Sequence, residues 1–266
     1  MVVNLNGVNF AYDDQGQGSP VLLIHGFPLS RKLWLSQTDY LSQFFRIISI
    51  DLRGHGETQS VPGPYSMDML AEDCHALLDH LHITQPVVLC GLSMGGYIAL
   101  AFYRKFPSQV AGLILAATRA NADSPETREN RDQAIRLANQ QGSMAIAESM
   151  LPKMFASNTH DANPSLITNV RDIMAHTSVA GITGALHGMK NRPDSYSMLQ
   201  SIQVPTLIIH GAADQLIPLS VAQGMSAAIP GAILCIIPRT GHLLNLEQPE
   251  LFNQAVRNFL LKQVQG

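Results

Sequence analysis

Three residues able to act together on a carbonyl carbon stand along this chain in the order Ser93, Asp214, His242. A serine hydroxyl is a poor nucleophile at neutral pH. It needs a base within hydrogen-bond reach and a third group to orient that base. Ser93 lies in Gly91-Leu92-Ser93-Met94-Gly95-Gly96, after the apolar run Val87-Val88-Leu89 and before residues 97–103, which carry no Pro or Gly. The pattern predicts a strand, a sharp turn and a helix, with Ser93 at the turn. Gly91 and Gly95 leave room for a strained backbone and close helix–strand packing. The helix that follows aims its free N–H groups back at Ser93, so the Met94 N–H is placed to stabilise an oxyanion.

The elements that must position these side chains read as buried strands ending in loops. Residues 206–209 precede His210-Gly211-Ala212-Ala213-Asp214, and residues 233–237 precede Arg239-Thr240-Gly241-His242. Residues 21–24 end at His25-Gly26-Phe27-Pro28, residues 47–50 end at Asp51-Leu52-Arg53-Gly54-His55-Gly56, and residues 112–116 form a further run. Continuously apolar runs of this length suit strands covered on both faces. Residues 8–12 alternate and read as an edge strand. Between these runs the chain predicts a helix over 31–43 with Ser30 as N-cap, and one from Ser66 that buries Leu70, Cys74, Leu77 and Leu78. A last helix starts at Pro249 and buries Leu251, Phe252, Ala255, Val256, Phe259 and Leu260. The alternation predicts an α/β fold with a mostly parallel, doubly wound sheet, whose strand ends bring Ser93, Asp214 and His242 to one rim.

Residues 119–200 interrupt the alternation. They contain no buried-strand run and read as helices starting at Ser124-Pro125, at Asn163-Pro164 and at Ser178, the first ending at Gly142. The expected organisation is a core of residues 1–118 and 201–266 with a helical cap of residues 119–200 inserted. The cap holds six of the eleven methionines. Met144 and Met150, with Trp34 and Leu243, are the candidate substrate-pocket residues.

These motifs together resemble the α/β-hydrolase superfamily, and within it bacterial carboxylesterases and 3-oxoadipate enol-lactonases. The resemblance runs from about Val8 to the last helix. It implies a second oxyanion donor in the loop after the early buried strand, which falls on the Phe27 N–H. It also implies cleavage of small or medium carboxylic esters through an acyl-enzyme on Ser93, with no metal or organic cofactor. An enol-lactonase is the alternative, its substrate's carboxylate calling for a cation such as Arg119, Arg128 or Arg131. Carbon–carbon bond hydrolases, thioesterases, perhydrolases and non-enzymatic ligand receptors share nearly the same core. An aspartate-nucleophile variant is disfavoured by the serine at 93.

A net charge of −3, with 14% charged residues, offers no basic field for nucleic acid. The expected partner is a small-molecule ester or lactone, and the sequence leaves the oligomeric state open. Three cysteines, no export signal at the amino end and no membrane-length apolar run imply a soluble protein in a reducing, cytoplasmic compartment. Asp123 is the competing acid for orienting the base. His25 and His55 read as loop-stabilising residues, Cys90 as a small buried apolar residue, and His75, His80 and His82 as a solvated helix face rather than a metal site.

Overall fold

In the computed structural model, which describes residues 1–264, eight strands form one sheet in the order β1-β2-β4-β3-β5-β6-β7-β8. They are β1 (Val2–Leu5), β2 (Val8–Gln15), β3 (Pro20–Ile24), β4 (Arg46–Ile50), β5 (Val87–Leu92), β6 (Val110–Ala116), β7 (Thr206–Gly211) and β8 (Ile233–Ile237). β2 runs antiparallel to β1 and β4, and every pair from β4 to β8 is parallel. The parallel strands β3, β5 and β7 are buried along their whole length, as their unbroken apolar sequences require.

The strand order reverses between β3 and β5. The chain leaves β3, pairs β4 on one side, then crosses back to lay β5 on the other. A crevice opens at such a switch point, beyond the carboxyl ends of the strands. The loop carrying Phe27 follows β3, and Ser93 follows β5, so both edges of that crevice come from predicted motifs.

The helices are α1 (Leu35–Leu41), α2 (Met67–His80), α3 (Met94–Lys105), α4 (Pro125–Met154), α5 (Ser157–Ala162), α6 (Pro164–Ala175), α7 (Val179–Lys190), α8 (Leu219–Ala228), α9 (Leu244–Glu247) and α10 (Pro249–Phe259). Two apolar clusters cover the faces of the sheet. Leu70, Leu77, Ile98 and Phe102 of α2 and α3 pack on one, and Leu41, Phe252, Val256 and Phe259 of α1 and α10 on the other. Ser66, Ser124, Asn163 and Ser178 each accept an N–H of the first helical turn, at Met69, Thr127, Leu166 and Gly181. These caps explain why α2, α4, α6 and α7 begin where the sequence predicts.

Three expectations need correction. Residues 8–12 are not an edge strand, because β1 pairs outside β2. Ser30 caps nothing with its side chain, and residues 31–34 form a 3₁₀ turn before α1. Leu251 is exposed and Ala255 only half-buried, so the buried stripe of α10 is narrower than predicted. Gly142 stands where predicted at the end of a helical segment: its φ of 80° and ψ of −176° are not helical, and a second segment, counted with the first in α4, runs on from it to Met154.

Candidate active site

Ser93 joins β5 to α3 at φ 56° and ψ −112°, a region a residue with a Cβ rarely enters. Its backbone is held there from several directions. The Ser93 N–H donates to Ala116 O at 2.9 Å, while Ser93 O accepts the Thr118 hydroxyl at 2.7 Å and the Gly96 N–H at 2.9 Å. The turn is so tight that a Cβ on Gly95 would collide with the carbonyl of Ile24, and one on Gly91 with the carbonyl of Gly95. Met94 is the first residue of α3, so its N–H belongs to the turn that has no intrahelical acceptor.

His242 follows β8 and is nearly inaccessible at its ring. Its Nδ1 donates to Asp214 Oδ2 at 2.8 Å, which leaves Nε2 as the lone-pair nitrogen. The Asp214 side chain is fully buried and accepts the N–H groups of Leu216 and Ile217 on its other oxygen at 2.8 and 3.0 Å. Burial works to raise the Asp214 carboxyl. The charge and hydrogen bond of His242 and those two N–H bonds outweigh it, holding the group below the usual carboxylate range.

Ser93, His242 and Phe27 line one cavity of about 720 Å³, large enough for a small organic molecule. Of the four candidate pocket residues, only Met150 is on its wall. Trp34 is fully buried, its ring 6.0 Å from that of Phe252 on the opposite face of the sheet. Leu243 is buried in that same cluster, because the chain turns directly into α9, and Met144 is exposed after the Gly142 kink. Tyr97, Ile146, Leu186, Met189 and Ile217 supply apolar wall that sequence reasoning did not single out for the pocket. Tyr97 was legible in principle. It lies four residues past Ser93 on a helix, hence on the same face.

Asp123 does not serve His242. It is paired with Arg131 and, at 2.6 Å, with the buried Arg192, whose guanidinium lies 4.1 Å from the Tyr97 ring centroid. Burial works to raise the Asp123 carboxyl, and the two arginines hold it below its ordinary range instead. Arg119 reaches the cavity wall with one bond to Leu216 O at 3.0 Å, and its buried Nε has no partner. Arg131 also lines the cavity, as does Glu126, and the cavity-lining residues do not include Arg128.

His25 and His55 support the Phe27 loop. His25 Nδ1 donates to Gly26 O at 2.8 Å and its Nε2 accepts the Leu52 N–H at 3.0 Å, while the His55 ring lies 5.2 Å from His25 and 6.3 Å from Phe27. Burial holds the His25 imidazole down to about 4 and, with His25 beside it, His55 down to about 3. A histidine in the unfolded chain titrates near 6.5, so below that pH the unfolded state binds more protons and stability falls. Each ring adds a slope of up to about 1.4 kcal/mol per pH unit until its folded value is passed. The urea midpoint is therefore expected to drop steadily from pH 7 to pH 4.5. A flat midpoint over that window would show these rings to be solvated.

Burial pushes the Cys90 thiol up, away from a reactive thiolate. His75 is half-buried, its ring 4.1 Å from that of Phe106 and its Nδ1 3.0 Å from the exposed Asp79, while His80 and His82 are exposed. Among the described residues no helix is long and apolar enough to cross a membrane.

A family model described as alpha/beta hydrolase fold matches residues 19–249. The chain is 29% identical to 3-oxoadipate enol-lactonase 2 of Acinetobacter baylyi, over 94% of this chain and 91% of that protein. Among solved structures, a thermophilic esterase from Thermogutta terrifontis with malate bound is 41% identical with a TM-score of 0.95, over 99% and 97% of the two chains. The enol-lactonase from Burkholderia xenovorans LB400 is 27% identical with a TM-score of 0.92, over 98% and 100%.

Proposed function

The chain belongs to the α/β-hydrolase family, and from that premise we propose that it is a serine-dependent carboxylic-ester hydrolase acting on small or medium esters through an acyl-enzyme. The observation that carries this reading is the strained Ser93 on the wall of the same cavity as His242, whose imidazole is bonded to the buried Asp214. In the proposed reaction His242 Nε2 takes the Ser93 proton as the oxygen attacks the ester carbonyl, and Asp214 stabilises the imidazolium. The N–H groups of Phe27 and Met94 hold the tetrahedral oxyanion. His242 then protonates the leaving alkoxide and activates the water that releases the acid. The helices of residues 119–200 act as the cap that roofs the cavity and selects the substrate. Free cysteines at Cys74, Cys90 and Cys235 suit a reducing, cytoplasmic setting.

Hydrolysis of a p-nitrophenyl ester series of increasing acyl length tests the reading. Turnover that falls as the chain outgrows the cavity supports it. Absence of turnover across the whole series overturns the esterase assignment.

One observation favours a second reading, a lactonase or esterase for substrates that carry a carboxylate. Arg119 presents a cavity-wall guanidinium with no carboxylate partner among the described residues, whereas Arg131 shares Asp123 with Arg192. A charge-assisted hydrogen bond of about 1.5–3 kcal/mol corresponds to roughly 10- to 100-fold in binding. Arg119→Met is expected to raise KM by about that factor for a succinate monoester or an enol-lactone acid, and to leave neutral acetates within about two-fold. An equal effect on both substrate types would remove the carboxylate reading.

A further inference from the structure

We propose that Glu247 is a positioning residue for the catalytic base: it mounts the His242 loop on the end of α4, so that the inserted helices help to place the imidazole. The inference rests on His242 being the base. Glu247 closes α9, and its carboxylate faces donors on two sides. Oε1 accepts the Gly241 N–H at 2.6 Å, and Oε2 accepts the Ala156 N–H at 2.9 Å and the Thr159 hydroxyl at 2.5 Å. One side chain thus ties the peptide just before His242 to the junction of α4 and α5.

Bonds from the same junction run in the other direction. Met154 O accepts the N–H groups of both His242 and Leu243, at 3.0 and 3.1 Å. Gln215, next to Asp214, donates its side-chain amide to Phe155 O at 3.1 Å. Residues 154–156 therefore touch both the loop of the base and the loop of the acid. The approach is close enough that a Cβ on Gly241 would come within 2.5 Å of Ala156 N.

Three donors converging on one side chain call for a group that only accepts, which an ionised carboxylate is and an amide is not. In Glu247→Gln the amide NH₂ must face either Gly241 N–H or Ala156 N–H, leaving a backbone donor unpaired. Proton transfer depends on geometry so steeply that a displacement of about 1 Å can cost roughly 100-fold. Substrate binding depends on the cavity wall, which Glu247 does not line.

The test compares full-length wild type, Glu247→Gln, Glu247→Asp, Thr159→Val and Ser93→Ala on one p-nitrophenyl ester, with the downfield imidazole N–H proton resonance of His242 recorded by NMR. Glu247→Gln is expected to lose about 10- to 100-fold in kcat with KM within about two-fold, and to broaden or shift that resonance. Glu247→Asp keeps the charge but shortens the reach, and it should fall between wild type and Gln; it carries the test should the Gln variant fail to fold. Thr159→Val removes one of the two bonds on the insertion side and leaves that of the Ala156 N–H, so its loss in kcat should be smaller than that of Glu247→Gln. Wild-type kcat and resonance in both Glu247 variants would overturn the proposal. So would a loss in Thr159→Val larger than that in Glu247→Gln, because the hydroxyl would then act by a route other than this carboxylate. Turnover retained in Ser93→Ala would instead remove the serine mechanism, whatever Glu247 does.

Discussion

Replacing Ser93 by alanine is expected to lower kcat on a p-nitrophenyl ester by about 10⁴- to 10⁶-fold while leaving the fold intact. The loss is large because the hydroxyl is the only bond-forming group the proposed mechanism has, and the oxyanion donors alone leave a modest residual rate. Stability should change little. Alanine keeps the Cβ, and the backbone at φ 56° is held by Ala116, Thr118 and Gly96 through main-chain atoms of residue 93, which the substitution does not touch. Burst kinetics and a thermal melt on the same preparation check both halves. Activity above about one percent of wild type, with a wild-type melt, would show that the nucleophile lies elsewhere.

The second large effect is Asp214→Asn, expected to cost about 10⁴-fold in kcat. The Asn carbonyl can still accept the Leu216 and Ile217 N–H groups, which leaves its NH₂ facing His242 Nδ1. That contact favours the tautomer with its proton on Nε2, where the base should be free. Asp123→Asn is the contrasting variant. It weakens a buried carboxylate shared by Arg131 and Arg192, and breaking such a pair costs about 3–5 kcal/mol of stability. Its kcat per folded molecule should stay near wild type. If the two aspartate variants exchanged these phenotypes in activity and urea titration, Asp123 would be the acid that orients the base.

The candidate residues Ser93, Asp214 and His242 stood out in the sequence because their surroundings leave strong local signals. An unbroken apolar run rich in β-branched residues, such as Val87-Val88-Leu89, and stopped by glycine suits a doubly covered strand, and the glycines about Ser93 mark a turn that no side chain at 91 or 95 would permit. The cavity wall was far less legible. Trp34 and Leu243 are large and apolar, but sequence does not say on which side of the sheet such a residue is buried, and both lie in the cluster away from the cavity. Strand β1 escaped notice because three of its four residues are not buried, so its apolar signal is weak. Glu247 gave no signal either. Its partners Ala156 and Thr159 are some ninety positions away, and two of its three bonds go to main-chain N–H groups that carry no residue identity.

The kink at Gly142 bears on how this scaffold could be recombined. Upstream of it, α4 presents Thr127, Asn130, Arg131 and Ala134 to the cavity; downstream, a second helical segment presents Ile146, Ser149 and Met150 and runs to Met154 and the bonds with the His242 loop. Nothing would meet a Cβ at Gly142 within 4 Å, so the break is not packed into its surroundings. A graft that exchanged the whole segment between β6 and β7 would carry away Ala156 and Thr159, the partners of Glu247, along with much of the cavity wall. A crossover placed at Gly142 trades only the upstream part of the wall for new selectivity, while the downstream half, with its own share of the wall at Ile146, Ser149 and Met150, stays with the His242 loop it is bonded to.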